Sequence, residues 1–583
     1  MSKTSVSGKI WEAKNIDERL VYKYINDFEI SDLLARILVA RNVEEDKMQS
    51  FIHPKIRDLL PDPFHLLDME KACKKVAEKI LAGDKITVLG DYDVDGATSS
   101  ALLKRVFTQL GANCSVHIPD RAVEGYGPTL YAIDKFKKED SKLVITVDCG
   151  ITSFDAIKYA NSVNLEVIIL DHHLSAEILP DAYAIVNPNR FDETTRYKNL
   201  AAVGVAFLFS VGLIKILRNH GYFQNIEEPN LLDLLDLVAL GTICDMMSLV
   251  GLNRAFVIQG LKIMSKRKNL GLKILAEYGK IDSKLTAYHL SFVIGPRINA
   301  GGRVGKSYLG SHLLSTNDEN TAFDCAAQLE IFNEERKVIE QKVLDEAIQI
   351  VERQQKKNYI LIFSDTWHPG VIGIVAGKIK DLYQKPVVVI AIEEDIGKAS
   401  CRSVKGIDLG SKIVEAKNRN ILLSGGGHAM AAGFTLRKDC IDSMIEFLDF
   451  SMSKENNILL QNKNCFFDIS LSPNGVSLEI AEEIQKLEPY GNGNSEPIIK
   501  VDGMYVLKAT ITNRHINCLL ASDSSTLKSK AIRAIAFNSV GTPVGDALLS
   551  AKPLNLSILG NLKINHWQGM TTTQISICDI IVN

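Results

Sequence analysis

VLGDYDVDGATSS, at residues 88–100 of this 583-residue chain, is the most informative stretch for its fold class. An apolar run is followed at once by three aspartates, and GATSS is then typical of a helix start. Three more apolar runs end in acidic or histidine residues: VITVDCG at 144–150, VIILDHH at 167–173 and ALGTICDMM at 239–247. Strands this apolar are buried on both faces of a parallel sheet, whose carboxyl edge binds ligands. The clusters therefore predict one site where carboxylates and imidazoles bind metal ions.

The order of the patterns predicts several domains. Between 85 and 187, apolar β-rich runs alternate with helical patterns, which favours a parallel sheet wrapped by helices. Residues 322–356 contain no Pro or Gly and predict one helix of roughly 50 Å. A smaller β/α pattern follows, and short β-like runs near the end favour a small barrel or sandwich. We therefore predict an α/β chain divided into an N-terminal segment (1–50), a parallel-sheet domain (51–320), a connecting long helix (321–356), a smaller α/β domain (357–455) and a C-terminal β-rich domain (456–583).

Composition excludes several classes of protein. The formal net charge is −3, so nucleic-acid binding would have to come from a local basic patch. The ten cysteines include no C-x-x-C pair, which indicates reduced thiols of a cytoplasmic protein rather than structural zinc or disulfides. The apolar stretch at 201–214 stops at Lys215 and is too short to span a bilayer, so it predicts a buried helix. We expect no membrane association.

The acidic residues suit metal ions better than a structural role alone. Asp91, Asp93 and Asp95 precede Gly96 at alternate positions, so we place them in a loop before a helix. Any one of them could simply cap that helix, but the set is harder to explain in this way. Asp148 is followed two residues later by a glycine, where backbone can approach a ligand closely.

Two further clusters complete the predicted site. Asp171, His172 and His173 end the VIILD run, and Asp245 ends an apolar helical stretch that begins near Leu231. Oxygen ligands mixed with imidazole favour Mn²⁺ or Mg²⁺ over a structural zinc. Five or six such ligands could hold two divalent ions at ~4 Å, a geometry suited to activating water and clamping a phosphate. The reaction class indicated is phosphoester hydrolysis.

These motifs resemble a known superfamily. DYDVDG, VDCG, DHH and GTICD are similar to motifs I to IV of the DHH phosphoesterases, and GGGHAMAAG resembles the glycine-rich motif of the DHHA1 domain. Other segments resemble the RecJ single-strand-specific exonucleases, and the resemblance covers nearly the whole chain. It implies a parallel-sheet DHH domain and a smaller α/β DHHA1 domain joined by a long helix, with a C-terminal β-barrel (OB fold). The segments are IPDRAVEGYG at 118–127, PRINAGGR at 296–303, NEERKVIE at 333–340, WHPGVIGIVAGKIK at 367–380, EPYGNGNSEP at 488–497 and the C-terminal NHWQG and TTQISICDI.

The resemblance also implies an activity. Members of this family degrade single-stranded DNA from the 5′ end to mononucleotides with Mn²⁺ or Mg²⁺, in recombination and repair. A helicase and a single-strand-binding protein are the expected partners, and the chain is expected to be a monomer. By the same resemblance, Asp91 binds a metal ion or supports a ligand, and His173 contacts the scissile phosphate. The metal ligands it implies are Asp93, Asp95, Asp148, His172 and Asp245.

The residues expected to hold DNA follow mostly from the resemblance. Arg121, Ser400 and Arg402 are candidates for the 5′-phosphate, although each arginine could instead form a surface salt bridge. Arg297, Asn299, Arg303 and Lys306 lie in PRINAGGRVGK, which is either a DNA-tracking loop or a helix-joining turn with a solvated basic face. His428 and the glycines of GGGHAMAAG could approach the nucleotide near the metal ions, or form a tight β-turn. In the barrel, Tyr490, Arg514, His515 and Trp567 are weaker candidates, because barrel aromatics often belong to the core.

Three other functions remain open at this point. One is a DHH-type phosphodiesterase acting on short oligonucleotides or cyclic dinucleotides, and another is an inorganic pyrophosphatase. The β-rich C-terminal segment argues against both. The third is a non-catalytic single-strand-binding scaffold on a DHH fold that has lost its activity. Loss of activity should have removed acidic ligands, yet all the acidic motifs are present.

Overall fold

The computed structural model describes residues 4–120, 124–125, 127–355, 357–453, 455, 464–522, 531–550, 554–567 and 570–583. The chain divides into two compact units. We call His53–Ile339 with Pro489–Ser495 the parallel-sheet unit. The barrel unit consists of Met1–Ile52, Glu340–Glu488 and Glu496–Asn583.

The parallel-sheet unit is built on five strands that are all parallel, as predicted. The strands at 86–90 and 143–147 are buried along their whole length, which explains their continuous apolar sequence. Gly90 pairs with Val147 and Val147 with Leu170, so three adjacent strands end at the same level. In spatial order the strands are Cys114–His117, Ile86–Gly90, Leu143–Val147, Glu166–Leu170 and Ala184–Val186.

Helices cover this sheet and form the rest of the unit. Within the described residues, Ala202–Asn219 is the one helix long and apolar enough to cross a membrane, and most of it is buried in the core of this unit. The buried helix predicted at 201–214 is thereby confirmed. The longer helices are Met69–Leu81, Val94–Gln109, Leu130–Lys138, Phe154–Ser162, Ala202–Asn219, Leu235–Cys244, Gly251–Met264, Leu270–Tyr278, Gly295–Val304 and Leu309–Ser315; the short ones are Ile56–Leu59, Ala287–His289 and a π-helical turn at Leu290–Ile294.

The prediction of a loop or turn at PRINAGGR was wrong, because Gly295–Val304 is a helix. Its glycines serve close packing rather than chain reversal. A Cβ at Gly302 would lie 2.8 Å from Cδ2 of Tyr92, inside the DYDVDG motif. The helix therefore presses against the first acidic loop.

The predicted long helix is confirmed as Glu319–Arg353, 35 residues in length. At 1.5 Å per residue it measures roughly 50 Å. The boundary between the two units falls inside it, between Ile339 and Glu340. One uninterrupted helix thus supplies chain to both units.

The barrel unit contains a second α/β sheet. Its strands at 360–364 and 387–393 are parallel, whereas the other neighbours are antiparallel. Helices Ile372–Tyr383, Leu409–Asn418 and Ile441–Ser451 accompany the sheet. In spatial order the strands are Ser424–His428, Ala431–Arg437, Ile396–Arg402, Val387–Glu393 and Ile360–Ser364.

The C-terminal region forms the predicted β-barrel. Strand Ile499–Thr512 pairs with Leu556–Trp567, and this pairing closes a ring of five strands. Two short helices, Leu478–Gln485 and Pro543–Leu548, accompany the barrel. The barrel strands are Ile499–Thr512, His515–Ala521, Ile532–Ala536, Met570–Val582 and Leu556–Trp567, and Ile469–Leu471 adds to the edge of Ile499–Thr512.

The N-terminal segment packs against the C-terminal part of the same unit. Strand Ile10–Ala13 pairs in parallel with Asn464–Phe467. Trp11 donates its indole N–H to Asp579 at 3.0 Å, and Lys14 bonds to Asp468 at 2.8 Å. Helices Glu18–Phe28, Asp32–Ala40 and Glu45–Ile52 follow the strand.

Candidate metal centre

The first acidic loop joins a strand end to a helix start. Asp91 directly follows strand Ile86–Gly90, and Asp93 caps helix Val94–Gln109 by accepting from the backbone N–H of Gly96 at 3.0 Å. The simple capping explanation thus holds for one oxygen of Asp93. Asp91 and Asp95 are buried, which a capping role does not explain.

Asp148 and Asp171 occupy the position equivalent to Asp91 on the next two strands. Each follows the last paired residue of its strand, Val147 or Leu170. Asp148 has a φ of 62°, a left-handed conformation that costs a non-glycine residue about 1–2 kcal/mol. Aspartate adopts this conformation more readily than most residues, so the position suits an aspartate.

Asp171 organises the two histidines that follow it. Its Oδ1 accepts from the backbone N–H groups of His172 at 2.7 Å and His173 at 3.1 Å, and also contacts Nδ1 of His173 at 2.7 Å. Its Oδ2 accepts from the backbone N–H of Ile151 at 3.1 Å. With both oxygens engaged, Asp171 fixes the orientation of His173.

Asp95 lies at the N-terminus of the buried helix Ala202–Asn219. Its two oxygens accept from the backbone N–H of Ala202 at 2.6 Å and of Val203 at 3.0 Å. These N–H groups have no partner within their own helix, and the helix dipole favours a negative charge there. The helix end therefore holds this carboxylate in place.

Asp245 is brought to the same place by the end of helix Leu235–Cys244, as predicted from the apolar helical stretch. The following residue, Met246, has a φ of 56°, so the chain reverses directly after the carboxylate. Within the described part of the chain, Oδ2 of Asp245 is buried and accepts no hydrogen bond. A buried carboxylate oxygen in this state is satisfied by a bound cation or by a proton of its own.

These side chains converge on His172. Its Nε2 lies 3.2 Å from Oδ1 of Asp148, 3.5 Å from Oδ2 of Asp245 and 3.8 Å from Oδ2 of Asp95. Three sets have ligand atoms within 4.8 Å of one another: Asp91, Asp93 and Asp148; Asp95, His172 and Asp245; and Asp148, His172 and His173. The structure therefore brings together all the predicted metal-binding residues.

Burial, and next to it mutual repulsion, raises the pKa of the central carboxyl groups. Burial, with the charge of Asp93, raises the pKa of Asp95 to about 7. Burial and the charges of Asp93 and Asp95 raise the pKa of Asp148 well above its usual range. Burial and the neighbouring aspartates raise the pKa of Asp245 to about 8. Without a cation, the site holds protons at neutral pH.

The two histidines differ in charge. Burial and the adjacent His173 lower the pKa of His172 to about 4, so this imidazole is neutral and can bind a metal ion. Burial alone would lower the pKa of His173, but its hydrogen bond to Asp171 and the charge of that group raise it to about 9. His173 is therefore a cation at neutral pH.

The donor set fits Mn²⁺ or Mg²⁺. Most of the possible ligand atoms are carboxylate oxygens, and one is the nitrogen of a neutral imidazole. A bound cation would compensate the buried Asp245 oxygen and the negative charge that raises the carboxyl pKa values. Hard divalent cations prefer such oxygen ligands, and imidazole is acceptable to Mn²⁺.

Of the residues predicted to track DNA, Arg297 has a structural task. Its buried guanidinium donates to Glu330 of the long helix at 2.6 and 3.1 Å and to the backbone oxygen of Val293 at 2.7 Å. These bonds fix helix Gly295–Val304 against the long helix.

The other predicted DNA-tracking residues lie near Arg297 or outside the described chain. Asn299 and Arg303 are half-buried on helix Gly295–Val304, and Lys306 is exposed just beyond it. Arg121 lies outside the described residues.

In the smaller α/β sheet, Ser400 and Arg402 lie on one strand. The Arg402 guanidinium donates to Oγ of Ser400 at 3.3 Å and to the backbone oxygen of Cys401 at 2.8 Å. Burial lowers the pKa of Arg402. A Cβ added at Gly373, on a neighbouring helix, would lie 3.1 Å from Ser400 Oγ and 3.5 Å from Arg402. Among the described residues, this arginine is therefore partly desolvated and bonded to neutral oxygens.

The glycine-rich motif forms the hairpin of strands Ser424–His428 and Ala431–Arg437. His428 is exposed at its end. In the register of the sheet, Gly426 is opposite Gly433, and Gly433 is opposite Ser400. The hairpin thus agrees with the tight-turn alternative. Because Gly426 and Gly433 have no side chains, the sheet beside Ser400 carries no side chain at these two positions.

The barrel candidates differ in exposure. Arg514 is exposed, and the ring of His515 packs edge-on against Phe537 at 5.3 Å between centroids. Phe537 is 54% exposed, although no sequence pattern singled it out. Tyr490 belongs to the parallel-sheet unit, and the side chain of Trp567 is outside the described set.

Several supporting residues were missed from sequence. Asn187 and Asn189 donate to the backbone oxygens of His173 at 2.8 Å and His172 at 2.6 Å. Asn253 donates to the backbone oxygens of Asn199 and Ser248. A lone asparagine carries no periodic signal, and only its distance from a motif in the folded chain reveals its task.

Three protein-family models match the chain. The model described as the DHH family, N-terminal domain, matches residues 85–242. The DHHA1 domain matches residues 356–454, and the RecJ OB domain matches residues 467–579. The three matches follow one another in the order expected from the motifs.

Individual proteins match over nearly the full length. The single-stranded-DNA-specific exonuclease RecJ of Escherichia coli is 33% identical over 95% of this chain and 96% of its own. The crystal structure of RecJ with Mn²⁺ from Thermus thermophilus has a TM-score of 0.80 at 27% identity, covering 98% of this chain and 79% of that chain. The Mg²⁺ complex of the same protein has a TM-score of 0.75 at 26% identity, covering 98% and 78%.

Proposed function

Because the chain belongs to the RecJ family of single-stranded-DNA-specific exonucleases, we propose that it hydrolyses single-stranded DNA from the 5′ end to 5′-mononucleotides. The observation that carries this proposal is the meeting of five aspartates and one neutral imidazole at the carboxyl edge of the parallel sheet. A related RecJ protein has been solved with Mn²⁺ and with Mg²⁺, the ions predicted from the donor set.

The metal ions would be held by two overlapping groups of ligands. Asp91, Asp93 and Asp148 form one, and Asp95, His172 and Asp245 form the other. Bound ions supply a water of lowered pKa and offset charge on the phosphate oxygens. Asp91 is a ligand in this proposal because it follows its strand at the position where Asp148 follows the neighbouring strand. One of its carboxylate oxygens also lies within 4.8 Å of ligand atoms of Asp93 and Asp148.

His173 acts on the scissile phosphate. Its Nδ1 is committed to Asp171 at 2.7 Å, so its Nε2–H is the group that donates to a phosphate oxygen. Asp171 keeps this imidazole protonated, and a fixed cation is most useful where negative charge develops in the transition state.

The smaller α/β domain holds the DNA strand near its 5′ end. Arg402 and Ser400 offer donors to a terminal phosphate. Gly373 and Gly377 lie one turn apart on helix Ile372–Tyr383, and a Cβ at Gly377 would touch nothing within 4 Å. A glycine inside a helix costs about 1 kcal/mol relative to alanine, so a glycine without a packing reason indicates the close approach of a ligand.

The remaining predicted residues have their own roles in this proposal. We assign His428, at the end of the glycine-rich strand Ser424–His428, to a contact with the nucleotide. Arg121, Asn299 and Arg303 are assigned to the phosphate backbone, while Arg297 supports their helix through Glu330. In the barrel, Arg514, His515 and the exposed Phe537 combine a charge with aromatic faces, as single-strand-binding barrels do.

The cellular setting follows from the family resemblance. We propose a cytoplasmic monomer that serves recombination and repair and works with a helicase and a single-strand-binding protein. The domain limits 1–50, 51–320, 321–356, 357–455 and 456–583 are part of the same proposal. The barrel and its family match favour long single strands over the short oligonucleotides, cyclic dinucleotides or pyrophosphate of the alternative enzymes.

The test uses one strand labelled at the 5′ end and one labelled at the 3′ end, each with Mn²⁺. The wild type should release labelled mononucleotide at once from the 5′ label and late from the 3′ label. Asp148→Asn should abolish release, because it removes a charge at the centre while asparagine tolerates the left-handed backbone.

Asp140→Asn is the matched control. Asp140 has nearly the same left-handed φ of 60°, but it is exposed and precedes strand Leu143–Val147, at the opposite edge of the sheet. This variant should cut normally. A wild type that binds DNA and leaves both labels intact would favour the non-catalytic scaffold, and first release from the 3′ label would contradict the polarity.

A further inference from the structure

A short loop far along the chain lies against the turn that follows Asp245. Residues Pro489–Ser495 belong to the parallel-sheet unit, although the chain before and after them belongs to the barrel unit. The loop is closed on itself, since Gly491 and Asn494 exchange backbone hydrogen bonds at 3.0 and 3.2 Å. Asn494 is buried and donates to the backbone oxygen of Pro489 at 2.9 Å.

Asn492 binds the Asp245 turn at both ends. Its Nδ2 donates to the backbone oxygen of Met246 at 2.8 Å. Its own backbone oxygen accepts from the N–H of Leu249 at 2.8 Å. One residue thus spans the four-residue turn that starts directly after the carboxylate.

The turn needs such support. Met246 takes the left-handed position that ends helix Leu235–Cys244, a place normally given to glycine, and this costs about 1–2 kcal/mol. The left-handed residue sets the direction of the chain next to Asp245, so a bond to its carbonyl restricts where the carboxylate can lie.

Close packing adds to the two hydrogen bonds. Gly493 has a φ of 73°, and a Cβ there would overlap Oγ of Ser248. A Cβ at Gly491 would lie 2.8 Å from Cδ1 of Leu249. From the other side, the buried Asn253 donates to the backbone oxygen of Ser248 at 3.1 Å. The turn is therefore held between this loop and helix Gly251–Met264.

We propose that Asn492 is a positioning residue for the metal centre: it fixes the turn at Met246–Leu249, holds Asp245 beside His172, and so strengthens the binding of a divalent ion. The proposal rests on the proposed function for the role of Asp245 as a ligand. It gives the YGNGN stretch a task that does not involve touching DNA or the metal ion itself.

The test measures Mn²⁺ binding without DNA, from the electron paramagnetic resonance signal of free Mn²⁺ during titration. Asn492→Leu keeps a similar side-chain shape and the backbone oxygen and removes the donor to Met246 without adding a charge, and Asn492→Ala removes the whole amide. Each should weaken Mn²⁺ binding about tenfold, the lower end of the effect of losing a residue that supports a metal ligand. Melting in EDTA should change little, and cleavage lost at low Mn²⁺ should return with excess Mn²⁺.

Asn26→Ala is the matched control, because Asn26 is also exposed and donates its side-chain amide to a backbone oxygen, that of Tyr22, at 2.9 Å in the other unit. It should bind Mn²⁺ like the wild type. Unchanged Mn²⁺ affinity in both Asn492 variants overturns the proposal, and so does a cleavage defect that excess Mn²⁺ does not repair. A wild type that binds Mn²⁺ but cuts no DNA would refute the proposed exonuclease activity. The Asn492 proposal would then be judged by the Mn²⁺ affinities of the variants alone.

Discussion

Asp171 binds no metal ion in our proposal, yet it keeps the imidazole of His173 protonated at neutral pH. Burial alone would raise its pKa, but the hydrogen bond and charge of His173 lower it to about 2. The pair is thus an ion pair over the whole neutral range. The sequence placed Asp171 in the acidic cluster, but its separate task follows only from the distances.

Asp171→Asn should separate transition-state stabilisation from metal binding. Asparagine cannot hold His173 as a cation, so kcat should fall about 10²-fold, the size of the loss when one oxyanion donor is removed. Mn²⁺ affinity should stay near that of the wild type, whereas Asp148→Asn should lose it. Equal losses of Mn²⁺ affinity in the two variants would show that Asp171 is itself a ligand.

The raised carboxyl pKa values predict how pH affects the metal-free protein. A group whose pKa is higher in the folded chain stabilises the fold below its unfolded pKa, and this stability is lost as pH rises through the folded pKa. Asp95, near 7, Asp245, near 8, and His173, near 9, all have this sign. In EDTA, the melting temperature should therefore fall from pH 7 to 9.

Mn²⁺ should reverse this trend, because it replaces the protons with positive charge. The rise in melting temperature on adding Mn²⁺ should be larger at pH 9 than at pH 7. Asp245→Asn is the comparison, since it removes one of the titrating groups and should flatten the pH dependence in EDTA. If Mn²⁺ raises the melting temperature by the same amount at pH 7 and pH 9, the carboxylates are already ionised before the metal binds.

At the scale of elements, strands and the long helix were accessible to sequence reasoning. Period and length identify an apolar strand or a 35-residue run without Pro or Gly, and the predicted 322–356 differs from Glu319–Arg353 by one turn. Helix Gly295–Val304 was missed because glycine usually signals a turn. Here Gly302 allows contact with Tyr92, a packing reason that local sequence does not display.

Gly377→Ala should raise stability and weaken DNA binding. The added methyl group meets no described atom within 4 Å and improves helix propensity, so stability should rise by about 1 kcal/mol. If DNA passes over this helix, KM for a long single strand should increase while kcat changes little. Urea unfolding and steady-state cleavage measure the two effects.

Asp27→Ala is the comparison for that experiment. Asp27 is exposed near the end of helix Glu18–Phe28, where its charge opposes the helix dipole, so alanine should also stabilise. DNA cleavage should be unaffected. If Gly377→Ala likewise leaves KM unchanged, this helix lies away from the DNA.

At the scale of the whole molecule, the two ends of the chain lie in the same unit. The parallel pairing of Ile10–Ala13 with Asn464–Phe467 joins residues more than 450 positions apart. No local pattern predicts such a contact, because strand partners are chosen by the folded topology. The fold class was nevertheless predictable, since each domain carries its own motifs.

Trp11→Phe should destabilise the barrel unit. It removes the indole donor to Asp579, which is 1% exposed, and a hydrogen bond to a charged group contributes about 1.5–3 kcal/mol. The urea midpoint for the unfolding of this unit should fall. Tyr22→Phe, at a side chain 65% exposed, is the control and should have no effect. An unchanged midpoint in Trp11→Phe would mean that the hydrogen bond between Trp11 and Asp579 does not stabilise this unit.

The Asn492 contact also has a consequence in time. Asn492 lies 246 residues after Met246, so a ribosome adding about 5–20 residues per second reaches it roughly 10 to 50 s later. During that interval the nascent chain already contains every acidic motif but lacks the residue that we expect to strengthen metal binding. A product that ends between the long helix Glu319–Arg353 and Asn492 is therefore expected to bind Mn²⁺ weakly, and the metal centre reaches its full affinity only when synthesis has almost reached the barrel strands.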